Sequence, residues 1–147
     1  MNRWIGKVRE EEEILKTCQT VAVVGLSPKP NRPSNMVASY LKENGYKIIP
    51  VNPRAGEILG EVCYTNLSSI PEPVDVVNVF RRPKEVPAIV EEAIKIGAKA
   101  VWMQEGVINH EAATQAMKAG LLVVMDKCML KEHLSLSSKS SQGDKHA

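Results

Sequence analysis

No apolar run in this chain approaches the roughly 18 residues needed to cross a membrane, and its N-terminus lacks the apolar stretch of a secretory signal. These absences predict a cytoplasmic protein with no membrane partner. Cysteine is scarce: Cys18, Cys63 and Cys128 are odd in number and widely spaced, which argues against both a disulfide framework and a zinc site. The net charge of +2 gives no surplus that would draw nucleic acid, although it leaves room for a local basic patch. There is no Gly-x-Ser-x-Gly elbow and no Walker A lysine loop. His110, His133 and His146 are scattered, and a pairing of Cys128 with His133 matches no metal motif. No catalytic residue and no metal are therefore predicted, and a binding protein is favoured over an enzyme.

What the chain does have is a repeated unit of helical segment, glycine and apolar strand. It occurs as YLKENG-YKIIPV, EAIKIG-AKAVWM and AMKAG-LLVVMD, with Gly45, Gly97 and Gly120 placed to end each helix in a left-handed turn. The strands are apolar on successive residues, as in a sheet covered on both faces. Strands are expected at 20–25, 47–51, 74–80, 98–103 and 121–125, and helices at 33–44, 84–96 and 109–119, the last capped by Asn109. A lead-in helix over 9–17 turns Ile14 and Leu15 inward and an acidic face to solvent. Residues 53–73 read as loop with a turn of helix near 66–70, and 135–147 as a disordered polar tail behind a single domain spanning 1–134. The fold class is α/β: a doubly wound, mainly five-stranded parallel sheet of Rossmann type with helices on both faces. Such folds bind ligands beyond the carboxyl ends of the strands.

At the end of strand 1, VAVVGLSPKPNRPS begins like a dinucleotide-binding loop, but only its first glycine, Gly25, is present. Three prolines and two cations, Lys29 and Arg32, replace the rest, and Pro33 suits the first position of the next helix. A phosphate is the natural guest of that helix start; a rigid turn with solvated cations is the alternative. Strand 2 ends in Asn52-Pro53-Arg54 with no carboxylate before Glu57, which disfavours NAD and suits the additional phosphate of NADP or coenzyme A. After strand 3 comes Phe80, the chain's sole phenylalanine and a surface for an adenine ring. Arg81 and Arg82 follow and would point to opposite sides if the strand continued. After strand 4, Gln104 or Glu105 can reach a polar group beside Gly106, while Trp102 and Met103 are assigned to the core. Cys128, at the end of strand 5, either faces the ligand or is a small buried hydrophobe.

Together VAVVGLSPKPNRPS, YLKENGYKIIPVNP, EILGEVCY, VDVVNVFRRP, GAKAVWMQEGV and AGLLVVMDKCMLKEH resemble the small stand-alone CoA-binding proteins of the Rossmann type. These are related to the CoA-binding domain of the succinyl-CoA synthetase alpha subunit, and the likeness covers residues 20 to about 133. The resemblance implies that Gly25, Leu26, Ser27, Lys29, Arg32 and Ser34 take the phosphates. Val51, Asn52, Pro53, Phe80 and Arg81 would flank the adenosine, and Gln104 and Gly106 would lie toward the pantetheine. The synthetase's phosphorylated histidine sits in a second domain with no counterpart here, so binding of CoA or acyl-CoA is implied without ligase chemistry. An NADP-linked oxidoreductase using Arg54, and a CoA redox store using a mixed disulfide at Cys128, are the competing readings. The sequence identifies no protein partner and leaves homo-oligomerisation open.

Overall fold

The computed structural model describes residues 9–146, with side chains through residue 138. Five strands form one parallel sheet: β1 Thr20–Val24, β2 Lys47–Val51, β5 Val76–Val79, β6 Ala100–Met103 and β7 Leu122–Val124, in the spatial order β2-β1-β5-β6-β7. A two-stranded antiparallel hairpin, β3 Glu57–Ile58 and β4 Glu61–Val62, lies in the β2–β5 connection. Helices α1 Glu10–Thr17, α2 Pro33–Glu43, α3 Val86–Lys95, α4 His110–Lys118 and α5 Met129–His146 complete the fold. No described helix is long and apolar enough to cross a membrane.

The strands are buried on both faces, so their valines alternate between two cores. Ala22, Val77, Val101 and Val123 pack with Val86, Val90 and Ala93 of α3 and Ala112, Ala113 and Ala116 of α4. Val21, Val23, Val76 and Trp102 pack with Ile14 of α1, Val37 and Leu41 of α2 and Met129 of α5. This is the doubly wound arrangement expected from the repeated unit. Asn109 caps α4 as the sequence indicates, accepting from Ala112 N at 2.9 Å. Trp102 and Met103 are wholly buried, and the Trp102 indole donates to Lys127 O at 2.9 Å.

Several expectations are corrected. The strand placed at 74–80 stops at Val79, because its partners on either side stop there too: Val79 pairs with Val24 on β1 and with Met103 on β6. The acidic face of α1 is not wholly solvated. Glu10 and Glu11 are buried; Glu10 Oε2 accepts from Val123 N at 2.8 Å, and Glu11 pairs with Lys127. Glu10 thereby satisfies an N–H of the edge strand β7 that no neighbouring strand reaches. The polar segment after residue 134 continues as α5, and Leu136 leans on the same core as Met129. His133 bonds Tyr40 rather than Cys128, with Nδ1 2.6 Å from the phenolic oxygen.

Candidate functional site

In a sheet of order 2-1-3-4-5 the chain reverses direction between the first and third strands of the series, here β1 and β5, and a crevice opens above their carboxyl ends. That crevice is present as a cleft of about 760 Å³. One wall is the loop after β1 and the start of α2, contributing Gly25, Ser27, Lys29, Arg32, Pro33, Ser34 and Val37. The segment after β5 forms the opposite wall, from Phe80 to Pro83 with Glu85. Gln104 to Val107, after β6, and Cys128, before α5, close one end.

The first loop is shaped from within. Gly25 has φ +89°, and a Cβ there would stand 2.4 Å from Phe80 O, so the glycine lets the β1 and β5 ends approach each other. Ser27 N donates to Ser34 Oγ at 3.0 Å, Asn35 Nδ2 donates to Ser27 O at 2.9 Å, and Lys29 N donates to Ser27 Oγ at 3.1 Å. These bonds fold the Pro-rich loop back onto the start of α2. Pro33 occupies the first turn and no side chain caps the helix, so its leading N–H groups are available to an anion at the positive helix end. Lys29 and Arg32 are exposed beside it, and neither has a carboxylate partner among the described residues.

The second wall also carries cations, but these are paired. Glu85 accepts from Arg81 at 2.8 Å and stands 3.5 Å from Arg82 Nε. The Arg81 bond holds the Glu85 carboxyl below its ordinary value, against the opposing effect of burial. With β5 ending at Val79, both arginines line the cleft instead of diverging to opposite faces. Glu105 is likewise matched, by Lys131 at 3.0 Å. Four cleft cations therefore face two already paired carboxylates, and the surplus is positive.

Nine of the residues expected from the sequence come together here: Gly25, Ser27, Lys29, Arg32, Ser34, Phe80, Arg81, Gln104 and Gly106. Four do not line the cleft. Leu26 is wholly buried among the α2 and α5 side chains, and Val51 turns into the opposite core. Asn52 works from behind the loop: Nδ2 donates to Leu26 O at 2.9 Å, while Oδ1 accepts from Arg54 N at 2.8 Å. Pro53 is exposed, and neither it nor Arg54 lines the cleft. Glu85 was missed, although its spacing of four from Arg81 and three from Arg82 is that of an ion pair on one helical turn.

A protein-family model described as a CoA binding domain matches residues 19–134. The protein YneT of Bacillus subtilis is 42% identical over 84% of this chain and 92% of its own length. An ADP-forming acetate–CoA ligase of Archaeoglobus fulgidus is 30% identical over 76% of this chain, which spans only 18% of the ligase. Among solved structures, a protein from Pyrococcus horikoshii OT3 superposes with a TM-score of 0.85 at 43% identity, covering 92% of this chain and 97% of that one. A cleft with excess positive charge at the switch point of a doubly wound sheet thus accompanies a family match over most of the fold, and the chain belongs to the CoA-binding domain family.

Proposed function

We propose that the chain binds coenzyme A or an acyl-CoA in the cleft between the β1 and β5 ends, in a regulatory or carrier role without chemistry of its own. The observation that carries this reading is the pairing of an uncapped α2 N-terminus with Lys29 and Arg32, which have no carboxylate partner among the described residues, on one rim of a cleft of about 760 Å³. That rim offers helix N–H groups and two full charges to a polyphosphate. Phe80, half-buried on the facing wall, offers an apolar surface to the adenine, and Arg81 and Arg82 are within the same wall for a further phosphate. Ser34 Oγ, which accepts from Ser27 N, keeps its own proton to donate. The end formed by Gln104, Gly106 and Cys128 takes the pantetheine.

The ligase relatives carry this domain as a small part of a larger protein, and the reading takes from them the ligand alone. The NADP alternative rested on Arg54, which stands outside the cleft lining. Calorimetric titration with CoA, acetyl-CoA, NADP and NAD under reducing conditions tests the assignment. CoA or its acetyl ester is expected to bind tightest; tighter binding of NADP would overturn it.

A further inference from the structure

The two ends of the cleft differ in charge. The α2 rim carries Lys29 and Arg32, which have no carboxylate partner among the described residues. The other end, where Gln104 to Val107 meet Cys128, is built differently. Val107 and Cys128 are each buried yet line the cleft, and they give it an apolar surface. Gln104, buried beside them, is polar but uncharged, and its Oε1 accepts from Met129 N at 3.1 Å.

The charged groups that hold this end leave a carboxylate in surplus. Glu105 lines the cleft, and Lys131 Nζ bridges both of its oxygens, at 3.0 and 3.1 Å. Behind Gly106, Asp126 Oδ1 accepts from Gly106 N at 2.8 Å. Among the described residues no ammonium or guanidinium lies within 4 Å of the Asp126 carboxylate. Lys127, next along the chain, does not line the cleft and pairs with Glu11. Two carboxylates therefore stand against one ammonium, which is already engaged. The Gly106 N–H, which could otherwise donate to an anion, is engaged as well.

A CoA thioester with its phosphates on Lys29 and Arg32 carries its acyl group toward this end. A neutral acyl group meets apolar and amide surface there. An acyl group that ends in a carboxylate meets Glu105 and Asp126, and like charges at short range disfavour it. We infer that the cleft selects thioesters of neutral acyl groups and rejects those whose acyl group carries a carboxylate, with Glu105 and Asp126 as the specificity-determining residues. This rests on the reading of the cleft as the CoA site. Two substitutions isolate the charges. Asp126 has a left-handed backbone, φ +61°, which Asn tolerates as well as Asp does. Asp126→Asn thus removes the charge and keeps an acceptor for Gly106 N. Glu105→Gln removes the other charge and releases Lys131.

Malonyl-CoA and acetoacetyl-CoA provide the test, because their acyl groups are nearly the same size and differ in charge at the far end. Both thioesters, and CoA itself, are titrated calorimetrically into the full-length protein at low and high salt. Acetoacetyl-CoA is expected to bind about tenfold tighter than malonyl-CoA at low salt, with the gap narrowing as ionic strength rises. In Glu105→Gln and in Asp126→Asn the ratio should shift several-fold toward malonyl-CoA. The wild-type ratio and its salt dependence stand by themselves if a variant does not fold. Equal affinities, tighter malonyl-CoA, a gap that ignores salt, or a ratio unchanged in both folded variants overturns the inference. So does binding of CoA without either thioester, and each of these outcomes leaves the CoA reading intact. Failure to bind CoA at all overturns that reading and this inference with it.

Discussion

A Cβ at Gly25 would stand 2.4 Å from the carbonyl oxygen of Phe80, closer than any packed pair of these atoms can come. The residue also has φ +89°, which side chains with a Cβ adopt at a cost. Gly25→Ala must therefore push apart the β1 and β5 ends, the two walls of the cleft. We expect a loss of about 2 kcal/mol or more in denaturant unfolding, together with weaker CoA binding. Full stability in this variant would show that the close approach of the two strand ends is not required.

Glu85 sits between the two arginines of the second wall and offsets one of their two positive charges. If the wall receives a phosphate, the carboxylate competes with it for the same donors. Glu85→Gln should then tighten CoA binding several-fold at low salt, with the gain fading as ionic strength rises. Weaker binding would mean that Glu85 aims the arginines rather than restraining them.

Asp75 holds the entry to the sheet. Its Oδ2 accepts from Gln19 N at 2.8 Å and from Thr20 N at 3.0 Å, and Lys99 lies 3.2 Å from Oδ1. Burial pushes this carboxyl up, but the two N–H groups and the Lys99 ammonium outweigh it and hold it below its ordinary value. A carboxyl lowered on folding stabilises fully above its unfolded value of about 3.9, and the contribution is lost as pH falls through the folded value. Urea unfolding of wild type and Asp75→Asn should differ by roughly 1.5–3 kcal/mol at pH 7, and the difference should shrink below about pH 4. A gap that is constant with pH would remove Asp75 from the account.

His133 joins α5 to α2 through Tyr40, and its ring also meets Tyr46 edge-on at 5.7 Å. Burial lowers its value, which keeps the ring neutral and able to accept the Tyr40 hydroxyl at Nδ1. A histidine lowered on folding contributes fully above its unfolded value of about 6.5 and loses that contribution as pH falls through the folded one. Thermal unfolding of the wild type should weaken between about pH 6.5 and 5, and His133→Gln should flatten that part of the profile. An unchanged profile would place the pH response elsewhere.

Most of the sheet was legible because its strands are apolar on successive residues, and three of the five, β2, β6 and β7, are announced a second time by the glycine that ends the helix before them. The hairpin was not, since Glu57–Ile58 and Glu61–Val62 are two residues long and show no periodicity. The burial of Glu10 was hidden for another reason. A carboxylate reads as solvent-facing until the bare edge of β7 gives it an N–H to accept. The start of α5 could have been found: Met129, His133 and Leu136 recur at helical spacing and all face protein, but the serines around them read as a tail. In the site, the basic loop that brings Lys29 and Arg32 to the cleft was legible from its composition. Asn52 was misplaced because its side chain turns back to Leu26 O, a contact that depends on β1 and β2 lying side by side.

The central claim is that the unpaired cations of the first wall hold the ligand's phosphates. It is tested most directly by calorimetric titration of CoA into wild type and Lys29→Ala/Arg32→Ala, under reductant and with matched circular dichroism spectra. Loss of two charge-assisted contacts should weaken binding by on the order of a hundredfold, and the salt dependence of the remaining affinity should be shallower. Unchanged CoA affinity in the folded double variant would contradict the account.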